Sequence, residues 1–141
     1  MKLAIAYLVS LLAFVLIDLV WINLVVIDTY RQFVDGWIIE RPRLGAAVAF
    51  YLVYAAGLVL LAVRPALREN DAAVAWANGA LLGGFAYGTY ALTNYAMFTD
   101  WAFHLVWTDM IWGVVLSSLV SFIGFRVVRP SDVRRAAAST G

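Results

Sequence analysis

The chain has 141 residues, enough for one domain, and 65% of them are hydrophobic whereas only 13% are charged. A water-soluble domain usually has roughly 45–50% apolar and about 25% charged residues, so this composition excludes an ordinary soluble fold and predicts a membrane protein. The net charge of +1 gives no support to nucleic-acid binding. One histidine and no cysteine exclude disulfides, thiolate sites and multi-histidine sites, so we predict no metal and no cofactor.

Four apolar stretches are long enough to cross a bilayer as helices, which takes roughly 20 residues each. They cover about residues 3–27, 44–63, 72–95 and 104–125. None of them alternates apolar and polar residues as a barrel strand does, and helices satisfy their own backbone hydrogen bonds in lipid. The sequence therefore predicts an all-α fold, an integral membrane four-helix bundle.

The first stretch begins after Lys2 and is interrupted by Asp18 and Asn23. A signal peptide also begins with a cationic residue before an apolar run. This run is long for a signal peptide, however, and no convincing small-residue cleavage site follows it. We therefore expect an uncleaved first helix.

Segment 28–43 mixes aromatic and charged side chains and contains Pro42 near its end. Such a segment would either lie on the membrane surface as a short amphipathic piece or form a solvated loop with Trp37 as its anchor. The sequence leaves both interpretations open.

The third stretch carries two pairs of glycines at four-residue spacing, Gly79 with Gly83 and Gly84 with Gly88. Small residues at this spacing allow the backbone of a neighbouring helix to approach closely. The pattern predicts tight helix packing, either inside the bundle or in a homodimer formed through this face. It does not indicate an activity.

The distribution of Lys and Arg predicts the orientation, because cytoplasmic loops of membrane proteins carry an excess of these residues. Three of them lie in segment 28–43, whereas the other seven lie at the termini or after the second stretch. The seven are Lys2, Arg64, Arg68, Arg126, Arg129, Arg134 and Arg135. We expect both termini to be cytoplasmic, with residues 1–129 forming the membrane domain and residues 130–141 a short basic and polar tail.

Two acidic residues interrupt the apolar stretches, Asp18 in the first and Asp109 in the fourth. A charged side chain near the bilayer centre costs about 2.5–3.5 kcal/mol even on the lenient insertion scale. No Lys or Arg lies within any of the four stretches, so neither acid has an obvious cationic partner. Protonation, hydrogen-bond donors, a shared proton, or a bound cation or ligand would have to stabilise them.

The depths of these acids place them in one half of the membrane. At about 1.5 Å per residue, Asp18 lies about 13 Å below the outer end of its helix and Asp109 about 7–8 Å below the end of its own. Tyr87 and Tyr90 lie at comparable depths, about 12 and 8 Å, and share a helical face with Asn94. We predict an outer-leaflet pocket formed by Asp18, Tyr87, Tyr90, Asn94 and Asp109 and walled by Trp21 and Trp112. Asn23, His104 and Thr108 are further possible members.

The alternative to a ligand pocket is a polar network that locks the helices together. Carboxyl groups bonded to tyrosine hydroxyls and to an asparagine amide would form it. Hydrogen bonds between membrane helices contribute only about 0.6 to 2 kcal/mol each. For stability alone, they would offset little of the free-energy cost of burying two carboxylates. The default for ionisable residues inside a membrane is a functional site.

Three segments of the chain resemble a bacterial membrane family known as domain of unknown function 2177. They are FVLIDLVW (14–21), FYLVYAAGLVLLAVRPAL (50–67) and YGTYALTNYAMFTDWAFHLVWTDMIWGVVLS (87–117). The resemblance implies a four-helix protein of the bacterial inner membrane with unassigned activity. Where the family pattern has an Asp before Leu-Thr-Asn and a Pro after the loop Trp, this chain has Ala91 and Ala102. Any family function that requires that carboxylate is therefore in doubt for this chain.

Three functions fit the sequence. The first is binding or processing of a lipid-like or small amphipathic molecule in the outer-leaflet pocket, since aromatic walls with a few polar groups suit a small-molecule site. The second is proton-coupled transport of a small molecule by an oligomer, because membrane carboxylates suit a proton relay. The third is an accessory or assembly subunit of a larger membrane complex. The sequence leaves open whether the protein is an enzyme, and it offers no serine nucleophile with a base beside it.

Overall fold

The computed structural model describes residues 1–26 and 43–129. Helix α1 covers Lys2–Trp21 and continues as a π-helical turn at Ile22–Val26. Helix α2 consists of Leu44–Leu58, a π-helical turn at Val59–Val63 and a last segment at Arg64–Glu69. Helices α3 and α4 are Ala72–Met97 and Phe103–Val128. The described residues contain no strand, which confirms the all-α four-helix prediction. The predictions for residues 27–42 and for the tail at 130–141 lie outside the described residues.

Three of the four helices are long and apolar enough to cross a membrane: Lys2–Val25, Leu44–Glu69 and Phe103–Val128. Helix α3 is as long as α4, with 26 residues, but its sequence is less apolar because it contains glycine, asparagine and tyrosine. That α3 also crosses the membrane therefore stays a prediction. The antiparallel packing of α3 along α4 supports this prediction.

Helix α2 continues beyond Val63, where its apolar run ends, and a turn at Asn70 and Asp71 joins it to α3. Pro65 has no backbone N–H to donate, and it lies just after the π-helical turn, where the helical backbone continues without a break. The helix ends at Glu69, and the next residue, Asn70, adopts a left-handed conformation with a φ of 54°. Asp71 then caps α3 by accepting a hydrogen bond from the backbone N–H of Ala73 at 2.8 Å, a contact worth about 1 kcal/mol.

Helices α3 and α4 pack so closely that the glycines of α3 leave no room for a side chain. A Cβ atom on Gly79 would lie 2.6 Å from the backbone oxygen of Ser117, and one on Gly83 would overlap the backbone of Gly113. Gly88 faces Met110 further along the same pair. The predicted tight packing is therefore present within the chain. The predicted homodimer stays a prediction, and α4 already covers Gly79 and Gly83.

The interior between the helices consists of three apolar clusters, one above the other. The middle cluster surrounds Phe14 and Leu58, with Leu116 and Val120 from α4. The cluster near the N-terminus contains Ala6, Val63 and Phe125, and the third, at the α3–α4 turn, contains Ala91, Trp101 and Leu105. Large apolar side chains cover the outside of the bundle, among them Leu8, Leu12, Val53, Phe85 and Leu81. An apolar exterior around an apolar interior is what a helix bundle needs in lipid.

Candidate functional site

The predicted pocket residues lie in the half of the bundle that contains the α3–α4 turn, which we call the turn half. Counted at about 1.5 Å per residue, Asp18 is about 12 Å from the end of α1 and Asp109 about 9 Å from the start of α4. Tyr87 and Tyr90 lie about 15 and 10 Å from the end of α3 by the same count. Helix α2 reaches this level at Tyr51, about 10 Å from its start. All four helices therefore contribute side chains at one depth.

Two hydrogen bonds from two other helices hold the buried carboxylate of Asp18. The hydroxyl of Tyr51 donates to Oδ2 at 2.8 Å, and the indole Nε1–H of Trp112 donates to Oδ1 at 3.0 Å. Bonds to a charged acceptor are stronger than those between neutral groups. Each carboxylate oxygen has a further lone pair, so Asp18 retains the capacity to accept from a ligand.

The indole of Trp112 also stacks on the indole of Trp21. The two ring centroids are 4.2 Å apart and the planes differ by only 7°. Because Trp112 is fixed by its hydrogen bond to Asp18 and by this stacking, both indoles form a firm wall. The contact joins α1 to α4 and takes its position from Asp18.

Asp109 lies on α4 one turn before Trp112, and only 7% of its surface is exposed. It borders the same space as Tyr87 and Tyr90 of α3. Gly113 makes this arrangement possible, because a Cβ atom there would overlap the ring of Tyr87. A small residue on α4 thus lets an aromatic side chain of α3 approach its backbone closely.

These side chains enclose a cleft of about 360 Å³, a volume within the range of roughly 300–1,000 Å³ that is usual for small-molecule sites. Among the described residues its lining holds two carboxylates, no Lys, Arg or His, and otherwise aromatic and apolar surface. The lining residues are Asp18, Trp21, Ile22, Phe50, Ala86, Tyr87, Tyr90, Asp109 and Trp112. Within the described part of the chain, no three acidic or histidine side chains gather into a metal-binding group.

The space below the cleft is closed. The hydroxyls of Tyr54 and Ser117 form a hydrogen bond of 2.9 Å, and the ring of Tyr54 meets that of Tyr87 edge to face at 6.2 Å between centroids. Tyr54 and Ser117 are both buried. We call this pair the floor of the cleft, and Tyr54 also belongs to the middle cluster.

Six of the seven residues predicted for the pocket line the cleft together, and Asn94 does not. Asn94 lies one turn beyond Tyr90, nearer the end of α3, and is absent from the lining. Asn94 shares a helical face with Tyr87 and Tyr90, but it lies at a different depth, and on α3 the lining of the cleft ends at Tyr90.

The three further candidates lie outside the lining as well. The amide of Asn23 donates to the backbone oxygen of Leu19 at 2.7 Å. The hydroxyl of Thr108 donates to the backbone oxygen of His104 at 2.9 Å. Both side chains bond to their own helices, as short polar side chains commonly do. His104 is exposed on the surface of α4.

The sequence prediction missed the contribution of α2. Tyr51 donates to Asp18, and Phe50 lines the cleft beside it. The second stretch has no charged residue, so it drew no attention as part of a polar site. Counting depth from Leu44 would have placed Tyr51 at the level of both acids. Ile22 and Ala86 were missed as well, because an apolar lining residue carries no signal in the sequence.

The four-helix architecture, the three apolar spans and the lipid-facing exterior define a helical membrane protein with a polar cleft between its helices. A family model described as a predicted membrane protein, domain of unknown function 2177, matches residues 3–126. The chain belongs to this family, which confirms the resemblance seen in the sequence. No curated protein and no solved structure matches this chain.

Proposed function

We propose that this protein binds a small amphipathic, lipid-like molecule in the cleft between its helices. The observation that carries the proposal is a cleft of about 360 Å³ with two buried carboxylates in an otherwise aromatic and apolar lining. A mostly apolar concave surface with a few convergent polar groups is typical of small-molecule sites.

A purely structural network explains the two acids less well. The two hydrogen bonds to Asp18, at about 0.6 to 2 kcal/mol each, roughly offset the cost of burying that one carboxylate. Asp109 is a second buried acid at the same depth, so such a network would have to bury two carboxyl groups. A network for stability alone would also be expected to fill its own interior, whereas this one borders a cleft.

The turn half, which contains the cleft, would face outward in a bacterial inner membrane, with both termini in the cytoplasm. Lys2, Arg64, Arg68 and Arg126 lie at the opposite end of the described helices, and an excess of basic residues favours the cytoplasmic side. The absence of cysteine allows a direct test with Thr99→Cys at the turn end and Glu69→Cys at the basic end. An impermeant maleimide should label Thr99→Cys from outside intact cells and leave Glu69→Cys unlabelled.

No contact among the described residues favours transport by an oligomer or an accessory role in a complex. Both therefore enter as outcomes of experiment. A stoichiometric protein partner that copurifies from native membranes, with no bound small molecule, would support the accessory role and contradict our proposal.

The test of binding is native mass spectrometry of the purified protein, followed by extraction of whatever amphiphile accompanies it. Asp18→Asn and Asp109→Asn should each lower the occupancy strongly. The matched control is Asp100→Asn, which removes an exposed acid near the same end of the bundle but outside the cleft. Equal occupancy in all three variants would contradict the proposal.

A further inference from the structure

A second cavity adjoins the cleft and differs from it in chemistry. It is a groove of about 580 Å³ that runs along α1, and the described residues that line it include no ionisable side chain. Its lining residues are Leu16, Ile17, Val20, Trp21, Leu24, Val25 and Trp112. The stacked pair of Trp21 and Trp112 lines both cavities, so the two cavities meet at these rings.

We propose that the cleft and the groove are two parts of one site for an amphiphile with a cationic amine head and a hydrocarbon chain. The head lies between Asp18 and Asp109, and the chain passes the indole pair into the groove. This inference rests on the proposed function and adds to it the chemistry of the ligand.

The two acidic side chains of the cleft determine which head can bind there. Ionised carboxylates only accept hydrogen bonds, and an ammonium group only donates them, so the two are complementary. Within the described residues the lining offers an anionic head no Lys, Arg or His. The low dielectric of the membrane interior strengthens attraction to an ammonium and repulsion of an anion.

The aromatic lining favours the same head. Trp21, Phe50, Tyr87, Tyr90 and Trp112 surround the two carboxylates. Aromatic faces attract cations through their quadrupole, and cages of such rings are a recurring way to bind ammonium groups. Carboxylates and aromatic rings thus point to one class of head, a protonated amine.

The groove suits the chain. From Leu16 to Val25 it extends along α1 for about 13 Å. Val20 and Leu24 are 58% and 72% exposed, so the groove opens toward lipid and a chain can enter from the bilayer. On α1, Trp21 borders both the side that faces the cleft and the side that faces the groove.

The first experiment compares heads on one chain. Dodecylamine, dodecanol and dodecanoate are titrated into the protein in phosphatidylcholine nanodiscs, and binding is followed by calorimetry against empty nanodiscs. Dodecylamine should bind at least about tenfold more tightly than dodecanol, a difference of about 1.4 kcal/mol, and dodecanoate should not bind. Asp18→Asn and Asp109→Asn should remove this preference, and Asp100→Asn should keep it. Preference for the alcohol or the carboxylate would overturn the amine head.

The second experiment blocks the groove and leaves the cleft alone. Val20→Trp places an indole in the groove, and Leu24→Trp does so at a second exposed position, so both variants should fold. Leu12→Trp is the control, because Leu12 faces lipid on the same helix outside both cavities. Groove variants should bind dodecylamine about tenfold more weakly and bind butylamine as the wild type does.

The outcomes separate the two claims. If none of dodecylamine, dodecanol and dodecanoate binds in a manner that depends on Asp18 or Asp109, the proposed function and this inference both fail. If only dodecanol or dodecanoate does so, the proposed function stands and the amine head fails. If amines of both lengths depend on the acids but Val20→Trp and Leu24→Trp behave like Leu12→Trp, the cleft stands and the groove is ordinary lipid-facing surface. Equal binding of butylamine and dodecylamine by the wild type would assign the site to a free amine and would also overturn the chain's place in the groove.

Discussion

The two halves of the bundle use polar residues for different purposes. The turn half places carboxylates and large aromatic rings around a cleft, whereas the half near the N-terminus places serine and glycine where helices touch. In that second half, Gly124 of α4 leaves space for the hydroxyl of Ser10. A small, uncharged hydroxyl fits between close helices, whereas an ionised group at membrane depth needs specific partners. Polar side chains are thus present in both halves, and acidic groups beside open space distinguish the turn half.

The largest effect should come from separating α3 and α4. Gly83→Leu places a side chain where the backbone of Gly113 lies, and overpacking against backbone costs about 3 kcal/mol or more. We expect loss of folded protein, measured by size-exclusion chromatography and thermal unfolding in detergent. Gly45→Leu is the control, because nothing lies within 4 Å of a Cβ atom there. Similar behaviour of both variants would show that the close approach is unimportant.

Removal of a core ring should come next. Phe14 is fully buried and contacts Tyr51 and Tyr54, so Phe14→Ala should lower the free energy of unfolding by about 3 kcal/mol and loosen the floor of the cleft. Phe85→Ala removes a ring that is 73% exposed to lipid and should change the free energy of unfolding little. Chemical denaturation in mixed micelles measures both. Equal losses would contradict the assignment of Phe14 to the interior.

A smaller effect tests the support of Asp18. Tyr51→Phe removes the hydroxyl that donates to Oδ2 and should cost about 1–2 kcal/mol, because it leaves a buried acceptor with one donor fewer. It should also weaken amphiphile binding, since the carboxylate and Trp112 lose a restraint. The exposed Tyr95→Phe should affect neither property. An unchanged Tyr51→Phe protein would mean that this bond adds nothing to the site.

The smallest effect contrasts two neighbouring serines. Ser117→Ala removes the partner of the Tyr54 hydroxyl and should lower the free energy of unfolding by about 0.6–1 kcal/mol. Ser118 donates only to the backbone oxygen of Val114 on its own helix, so Ser118→Ala should have almost no effect. Thermal unfolding of the pair under identical conditions decides this. A larger loss for Ser118→Ala would contradict the role of the Tyr54–Ser117 pair as the floor.

Much of the fold could be predicted because hydrophobicity and length determine helices in lipid. The four helices, the glycine packing and the depth of Asp18 and Asp109 all follow from position along the chain. The end of α2 was predicted less accurately. The apolar run stops at Val63, but the backbone continues to Glu69, since charged residues at a membrane boundary remain good helix formers.

The sequence by itself determined the class of protein, the helices and the depth of each candidate side chain. Depth could be read in advance because a helix rises by a constant amount per residue. Only the tertiary structure decided which side chains at that depth meet: that Tyr51 and Trp112 hold Asp18, that Asn94 lies outside, and that a groove adjoins the cleft. The rotation of each helix about its axis and its distance from its neighbours depend on packing between residues far apart in the chain.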